Sequence, residues 1–342
     1  MVLSMLDALI IGGGLAGSLL AWRLQQEGYQ VLVLDAPPVG PHPPAWSVAA
    51  GLAAPVSGQR ATLLPEAAES IAQAQGLYTA IEADLGQPFW RPLSLLRCFT
   101  RSADAQRWRE RCGQGAFKPY LRELDPRQLK ESAALRPLAA AFEISGGGHL
   151  NINALVPALH ARLRGQGALQ SARFEAADLE VLPASVRWRG LEARQAVFCE
   201  GIGAQANGLF PALSFQATRG ELLELSIPGL ALERVLYGRH FLIPLGQDRY
   251  LCGATYDRQD LSSGPSAAGR AELEAGLDEL LGLPYEVSGQ RCGLRPNVLG
   301  HAALWQRHPG HGHLWRLNGL GSKGAWSAPR LTLRALEDLR PR

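Results

Sequence analysis

The chain has 342 residues, 46% of them hydrophobic and 19% charged, which supports a large core and excludes a disordered or fibrous protein. Thirty-four basic against 31 acidic residues leave a net charge of +3 with no basic cluster, so there is no strong nucleic-acid signal. The longest apolar run, residues 8–22, contains four glycines and a serine and is shorter than the roughly 20 residues a spanning helix needs, which excludes a transmembrane segment. Asp7 and the lack of preceding basic residues argue against a secretory leader and predict a cytoplasmic protein. The five cysteines are widely spaced without C-x-x-C and read as reduced thiols.

In chain order, residues 6–11 form an apolar strand that leads through a glycine turn into a helix over 15–27, stopped by Gly28. Residues 30–34 form a second strand ending in Asp35 and complete a βαβ unit. Five prolines in residues 36–44 make an irregular connection, and 45–60 reads as a small-residue loop able to line a ligand. Amphipathic patterns predict helices over 65–85 and 104–112, with a strand at 93–100 between them. The glycine triplet 146–148 precedes an amphipathic helix over 152–165, with Leu155, Leu159 and Leu163 on one face. Strands are expected at 168–174, 179–182, 185–188 and 196–199, then at 221–226, 240–244 and 250–255. A helix over 266–281, a strand at 314–317 and a helix over 328–339 close the chain. No fixed period recurs, which excludes solenoids and propellers.

The sequence Gly12-x-Gly14-x-x-Gly17 lies between the first strand and helix, and Asp35 ends the next strand 18 residues later. Gly12 permits the tight turn, and Gly14 admits a pyrophosphate to the helix N-terminus. Gly17 lets the helix pack on the sheet, and Asp35 can accept both ribose hydroxyls. That pattern serves FAD and NAD alike. Its position at the extreme N-terminus, the lack of a second copy, and further glycine loops at 49–58, 200–203 and 319–324 favour FAD, a long cofactor needing extra backbone contacts.

Taken together, residues 10–17, the loop 47–55, Cys199-Glu200-Gly201, Arg219-Gly220-Glu221, Gly253-Ala254-Thr255-Tyr256, Gly293-Leu294-Arg295-Pro296 and residues 319–324 resemble the D-amino-acid oxidase/glycine oxidase family of FAD-dependent oxidoreductases. The likeness covers nearly the whole chain. Within the family, the Gly-Ala-Thr-Tyr strand and the closing glycine loop are most similar to the flavin domain of a bifunctional tRNA wobble-uridine-modifying protein and to its short stand-alone relatives. The resemblance implies a mixed α/β fold: a Rossmann-like FAD-binding domain from residues 1–74, 143–208 and 290–342, and an interleaved sheet-based substrate domain from 75–142 and 209–289.

It also implies roles. Arg295 would hold a substrate carboxylate, which suits a guanidinium fork. Gly319, Leu320, Gly321, Ser322, Lys323 and Gly324 would face the flavin pyrimidine edge, their amides and the Lys323 cation countering charge on the reduced ring. Leu15 and Ala16 belong to the N-terminal phosphate turn, Gly201 and Gly203 to the second glycine junction. Ser47, Ala50, Gly51 and Leu52 would lie beside the flavin, with Ser47 donating to a phosphate or only closing a turn. Phe241 stands where family members carry a carboxylate-binding tyrosine, and a phenyl ring cannot donate. The acidic group is therefore expected some bonds from the amine, or held by Arg239, His240 or Tyr256. After Arg295-Pro296, residues 297–301 replace the usual Asp-x-x-Pro.

The implied reaction is oxidation of the C–N bond of a neutral amine or amino-acid-like substrate by hydride transfer to N5 of non-covalently bound FAD, followed by imine hydrolysis. Oxygen, a quinone or a carrier would accept the electrons. Two alternatives stand beside it: a tRNA wobble-uridine side-chain oxidoreductase, and a non-catalytic FAD-binding protein. His308, His311 and His313 lack the spacing of a metal site, and none is expected.

Overall fold

The computed structural model describes residues 5–37, 41–58, 60–205, 207–299 and 303–340. Of the replaced loop at 297–301, Gly300 and His301 lie outside the described residues. The described residues form two eight-stranded sheets and a small three-stranded one.

The first sheet is nucleated by the opening βαβ unit. Strand Leu6–Ile11 pairs in parallel with Val31–Leu34 on one side and Leu191–Phe198 on the other, and Leu314–Asn318 extends the parallel run beyond them. Alternation along a strand buried on both sides sends Ala8 and Ile10 to one face, and Leu9 and Ile11 to the other. Helices Leu15–Gln26 and Gly324–Leu339 cover the first face through Leu20, Leu24, Leu331 and Leu336. Phe174, Trp188, Phe198 and Phe210 pack on the second.

The second sheet runs in the order Glu286–Arg295, Thr218–Ser226, Arg249–Gly253, Phe241–Gly246, Val235–Tyr237, Leu95–Phe99, Ala140–Ile144, Leu121–Leu124, antiparallel except where Val235–Tyr237 meets Leu95–Phe99. Helix Ala267–Asp278 packs on one face with Leu273 and Leu277. The other face carries Leu222, Phe241, Ile243 and Phe142. Strands Leu52–Ala53, Gly148–Leu150 and Trp90–Pro92 form the third sheet.

Most expected elements are present, with differences that have physical causes. Helix Ala67–Leu85 packs through Ala74, Leu77 and Tyr78 on Leu19 and Trp326 of the nucleotide side. The expected 74/75 domain boundary thus falls inside this helix, and the 289/290 boundary inside strand Glu286–Arg295. The strand expected at 168–174 is confined to Leu169–Gln170, because only Val33 and Leu34 offer it a ladder. The loop 45–60 contains a short helix, Ala45–Val48. The last helix begins at Gly324 rather than 328 and keeps Pro329 inside it. Strands Ala140–Ile144 and Glu286–Arg295 were not expected from the sequence.

Candidate functional site

A cavity of about 1330 Å3 is walled by both large sheets, by the loop around residues 41–64, and by the N-terminal ends of the first and last helices. At one end, Gly12 turns the chain with φ +100°, and a Cβ there would lie 2.6 Å from the Cys199 carbonyl oxygen, so only glycine fits. Gly14 is the N-cap of helix Leu15–Gln26 and brings no side-chain acceptor, which leaves first-turn amides free for an anion. Asp35 Oδ1 accepts from the Gly13 amide at 2.8 Å, leaving Oδ2 for a ligand hydroxyl. Ser18 Oγ donates to the Gly13 carbonyl at 2.8 Å, and His160 Nε2 lies 2.6 Å from the same oxygen. A carbonyl only accepts, so His160 carries its proton on Nε2.

Glu200, at the end of strand Leu191–Phe198, also lines this end. Burial pushes its carboxyl up to about 7, with a hydrogen bond from Asn207 Nδ2 pulling the other way. Asn318 binds two glycine loops together: its Nδ2 donates to Gly201 O at 2.9 Å and its Oδ1 accepts from Gly319 N at 2.7 Å. Lys323 caps the last helix without a side-chain bond to its amides, so a second helix N-terminus faces the same cavity through Gly324.

The opposite end is formed by the second sheet. Leu222, Tyr237, Phe241, Ala254 and Val48 make an apolar wall. Arg295, the last residue of strand Glu286–Arg295, is largely buried among them. Its Nη1 donates to Thr255 O at 3.2 Å and to Arg219 O at 3.4 Å, and its guanidinium lies 4.1 Å from the centroid of the Tyr256 ring. No described carboxylate pairs with it, and burial lowers its pKa. Gly220 opposite leaves the room: an added Cβ would overlap the guanidinium.

The cavity brings together most of the expected residues. Gly12, Gly14, Leu15, Ala16 and Asp35 line one end; Ala50, Gly51, Leu52, Gly201, Leu320, Gly321, Ser322, Lys323 and Gly324 line its middle; and Phe241, Tyr256 and Arg295 its far end. Gly17 and Gly203 do not line it, nor do Ser47, Gly319 and His240. Gly17 sits where a Cβ would meet Gly12 O, a packing role. Ser47 Oγ donates to Pro44 O at 2.9 Å and closes its own turn. His240 instead meets helix Ala267–Asp278, with Nε2 3.6 Å from Glu272, and Arg239 is exposed elsewhere. Sequence reasoning missed His160, Trp46, Tyr237, Arg60 and Arg258, all of which line the cavity. A lone polar residue beside the Leu155/Leu159/Leu163 stripe, or an arginine in a loop, carries no periodic signal. His308 and His313 bond to the carbonyls of Leu209 and Pro183, at 2.9 and 3.0 Å.

A family model described as FAD dependent oxidoreductase (DAO) matches residues 7–331, nearly all of the described chain. The chain belongs to this FAD dependent oxidoreductase family. Glycine oxidase of Bacillus licheniformis is 26% identical over 89% of this chain and 84% of its own length. The tRNA 5-methylaminomethyl-2-thiouridine biosynthesis bifunctional protein of Hahella chejuensis is 24% identical over 94% of this chain, which spans 55% of that relative's length. Among solved structures, glycine oxidase from Bacillus cereus superposes with a TM-score of 0.80 at 17% identity, covering 98% of this chain and 94% of that one. Iminodiacetate oxidase from Chelativorans sp. BNC1 gives 0.78 at 20% identity, covering 96% and 93%. These likenesses show a shared fold. The oxidoreductase is an FAD enzyme, and its cavity fits that cofactor: the glycine cradle at Gly12 and two free helix N-termini suit phosphates and an electron-rich ring, and Asp35 suits a ribose. Among the described residues no helix is long and apolar enough to cross a membrane.

Proposed function

We propose that this oxidoreductase oxidises the C–N bond of a small amine that also bears a carboxylate, with Arg295 as the carboxylate anchor. The observation that carries this reading is a largely buried guanidinium held by two carbonyls and a ring face, with no anion of the described chain beside it. Such a group is costly to bury unpaired, and an incoming carboxylate supplies the missing partner. The names of glycine oxidase and iminodiacetate oxidase, whose folds match, support amino-acid chemistry.

On this reading Gly12, Gly14, Leu15, Ala16 and Asp35 hold the adenosine and pyrophosphate portion of non-covalent FAD. Ala50, Gly51 and Leu52 lie beside the flavin, and the 320–324 turn against its pyrimidine edge. Bound FAD supplies the acceptor for the two electrons and the hydrogen leaving the carbon next to nitrogen. The chain's own contribution is orientation. Thr255 and Arg219 carbonyls aim the Arg295 fork, Tyr256 holds its plane, and the wall of Leu222, Tyr237 and Phe241 excludes water and presents the C–H bond. Among the described residues the lining carboxylates, Asp35 and Glu200, stand at the nucleotide end, so neither deprotonates the amine, which must bind in its neutral form for the neighbouring carbon to release a hydride. An α-carboxylate has one anchor fewer at Phe241, which leaves Arg295 as its main holder.

Anaerobic mixing with glycine, sarcosine and their neutral amine analogues tests this. Bleaching of the flavin by the carboxylates, with an oxo acid as product, is expected, and bleaching only by neutral amines overturns it. Reoxidation with oxygen against a quinone then identifies the acceptor class. A second reading, supported by the bifunctional relative, places the amine on a tRNA uridine. Bleaching by modified tRNA and by no small amine would select it.

A further inference from the structure

The cavity is rich in positive charge. Its lining holds five cationic side chains, Arg60, Arg164, Arg258, Arg295 and Lys323, against the two carboxylates Asp35 and Glu200. Arg164 belongs to the helix that bears His160, beside the nucleotide end, and Lys323 caps the last helix at the middle of the cavity. Arg60 and Arg258 belong to neither helix. The loop bearing Arg60 packs at Gly58 against the ring of Tyr237, a wall residue of the substrate end. Arg258 follows Tyr256, whose ring covers the Arg295 guanidinium, and both line the cavity. Neither Arg60 nor Arg258 has a hydrogen bond or ion pair with any described residue, and both are exposed at the mouth.

The segment that bears Arg258 is fastened in place. Asp257 and Arg219 exchange two backbone hydrogen bonds of 2.8 and 3.0 Å. Asp257 Oδ1 accepts from the amides of Gln259 and Asp260 at 2.8 and 3.0 Å, which fixes the backbone on the far side of Arg258. Arg219, 4% exposed, clamps the rest: it reaches Asp260 at 3.2 Å, Gly264 O at 2.6 Å and the buried carboxylate of Glu221 at 3.0 Å. Glu221 in turn accepts from Ser266 N and Oγ at 2.9 and 2.6 Å and from Gln290 Nε2 at 2.6 Å. An unpaired guanidinium on an anchored segment, beside a buried one that binds the first carboxylate, is built to receive a second anion.

We infer that Arg258 and Arg60, which line the same cavity, form a second anion subsite, so that the preferred substrate is an amine bearing two acidic groups, one on each side of the nitrogen. This deepens the reading that Arg295 anchors a carboxylate and rests on it. With one charge at Arg295 and one at the mouth, the nitrogen and its oxidisable carbon lie between two fixed points, which compensates for the anchor lost at Phe241.

The holoenzyme tests this with two ligands of nearly equal shape: iminodiacetate, and its half-amide N-(carbamoylmethyl)glycine, which lacks only the second charge. Anaerobic mixing reads the half-saturation concentration and the rate of flavin bleaching; a ligand that does not bleach is read by its perturbation of the flavin absorbance. In the wild type, iminodiacetate is expected to half-saturate at about tenfold lower concentration, the size of one charge-assisted bond partly open to water. That preference should shrink as salt is raised, and in Arg258→Gln the two ligands should come level. Arg258→Lys, which keeps the charge and loses the fork, should retain part of it. Equal half-saturation in the wild type, absence of a flavin response to either ligand, or an undiminished preference in Arg258→Gln overturns the subsite. Failure of the parent reading looks different: sarcosine and glycine then leave the flavin oxidised, while the half-saturation ratio still decides the subsite.

Discussion

Replacing Gly220 by alanine probes Arg295 without removing its charge. The strand position needs no positive φ, so a methyl is tolerated by the backbone, and the three nearest atoms it would meet all belong to the Arg295 guanidinium. An ideal Cβ at 220 falls more than an ångström inside the ~3.5 Å contact distance of the guanidinium, so the Arg295 head must move by at least that much. A displacement of about 1 Å of a positioning group costs on the order of 100-fold in rate. Arg295→Ala goes further and truncates the anchor. The loss of a buried charge-assisted pair is worth about 2–5 kcal/mol, or roughly thirty- to several-thousand-fold in kcat/KM for the carboxylate substrate. Folding should be spared in both variants, because no carboxylate among the described residues pairs with Arg295 and would be left alone. The assay is anaerobic stopped-flow reduction by a carboxylate-bearing amine and by its neutral analogue, with FAD content and melting temperature as controls. Both variants should lose the preference for the acid, Arg295→Ala the more. If both keep the wild-type preference while holding FAD, Arg295 is a structural residue and the amino-acid reading fails.

Three further outcomes are expected. Asp35→Ala should weaken FAD binding by about 1.5–3 kcal/mol for each ribose bond lost, while leaving the Gly13 amide unpartnered; unchanged affinity by fluorescence titration would mean that the ribose lies elsewhere. Glu200 has a pKa raised from 4.5 to about 7, so its protonated form favours the folded state; its contribution is full below pH 4.5 and is lost as pH rises to about 7. Glu200→Gln should therefore stabilise the apoprotein at pH 8 by at most about 3 kcal/mol and change little at pH 4.5, in urea unfolding; equal effects at both pH values would contradict it. Gly12→Ala should abolish FAD retention, since its Cβ would meet Cys199 O at 2.6 Å, and a yellow variant would refute that packing.

The parts legible in the sequence are those whose function imposes a pattern. The opening strand, turn, helix and acid were readable because a pyrophosphate at a helix N-terminus demands glycine at fixed spacing, and Asp35 and Gly12 stand as that argument requires. Strand Glu286–Arg295 was not readable from periodicity: its sequence EVSGQRCGLR interleaves two glycines with charges, and it is held by a long ladder to Thr218–Ser226 rather than by an apolar face. Ala140–Ile144 is buried almost throughout and shows no alternation to mark it. Arg295 was found through its resemblance, but its setting was hidden, since the carbonyls of Thr255 and Arg219 come from 40 and 76 residues away. His240 shows the converse. It neighbours Phe241, yet strand alternation turns it to the opposite face, against helix Ala267–Asp278. Arg60 and Arg258 were invisible as site residues because only the folded chain shows which loop arginines line the cavity.

The most direct test is a single ratio in the wild-type holoenzyme: the anaerobic rate of flavin reduction by sarcosine against that by dimethylamine, which lacks only the carboxylate. With Arg295 as anchor, sarcosine should be faster at equal low concentration by at least about thirtyfold, the lower bound for a buried charge-assisted pair. A ratio near one, or faster reduction by dimethylamine, would contradict the assignment of this cavity to a carboxylate-bearing amine.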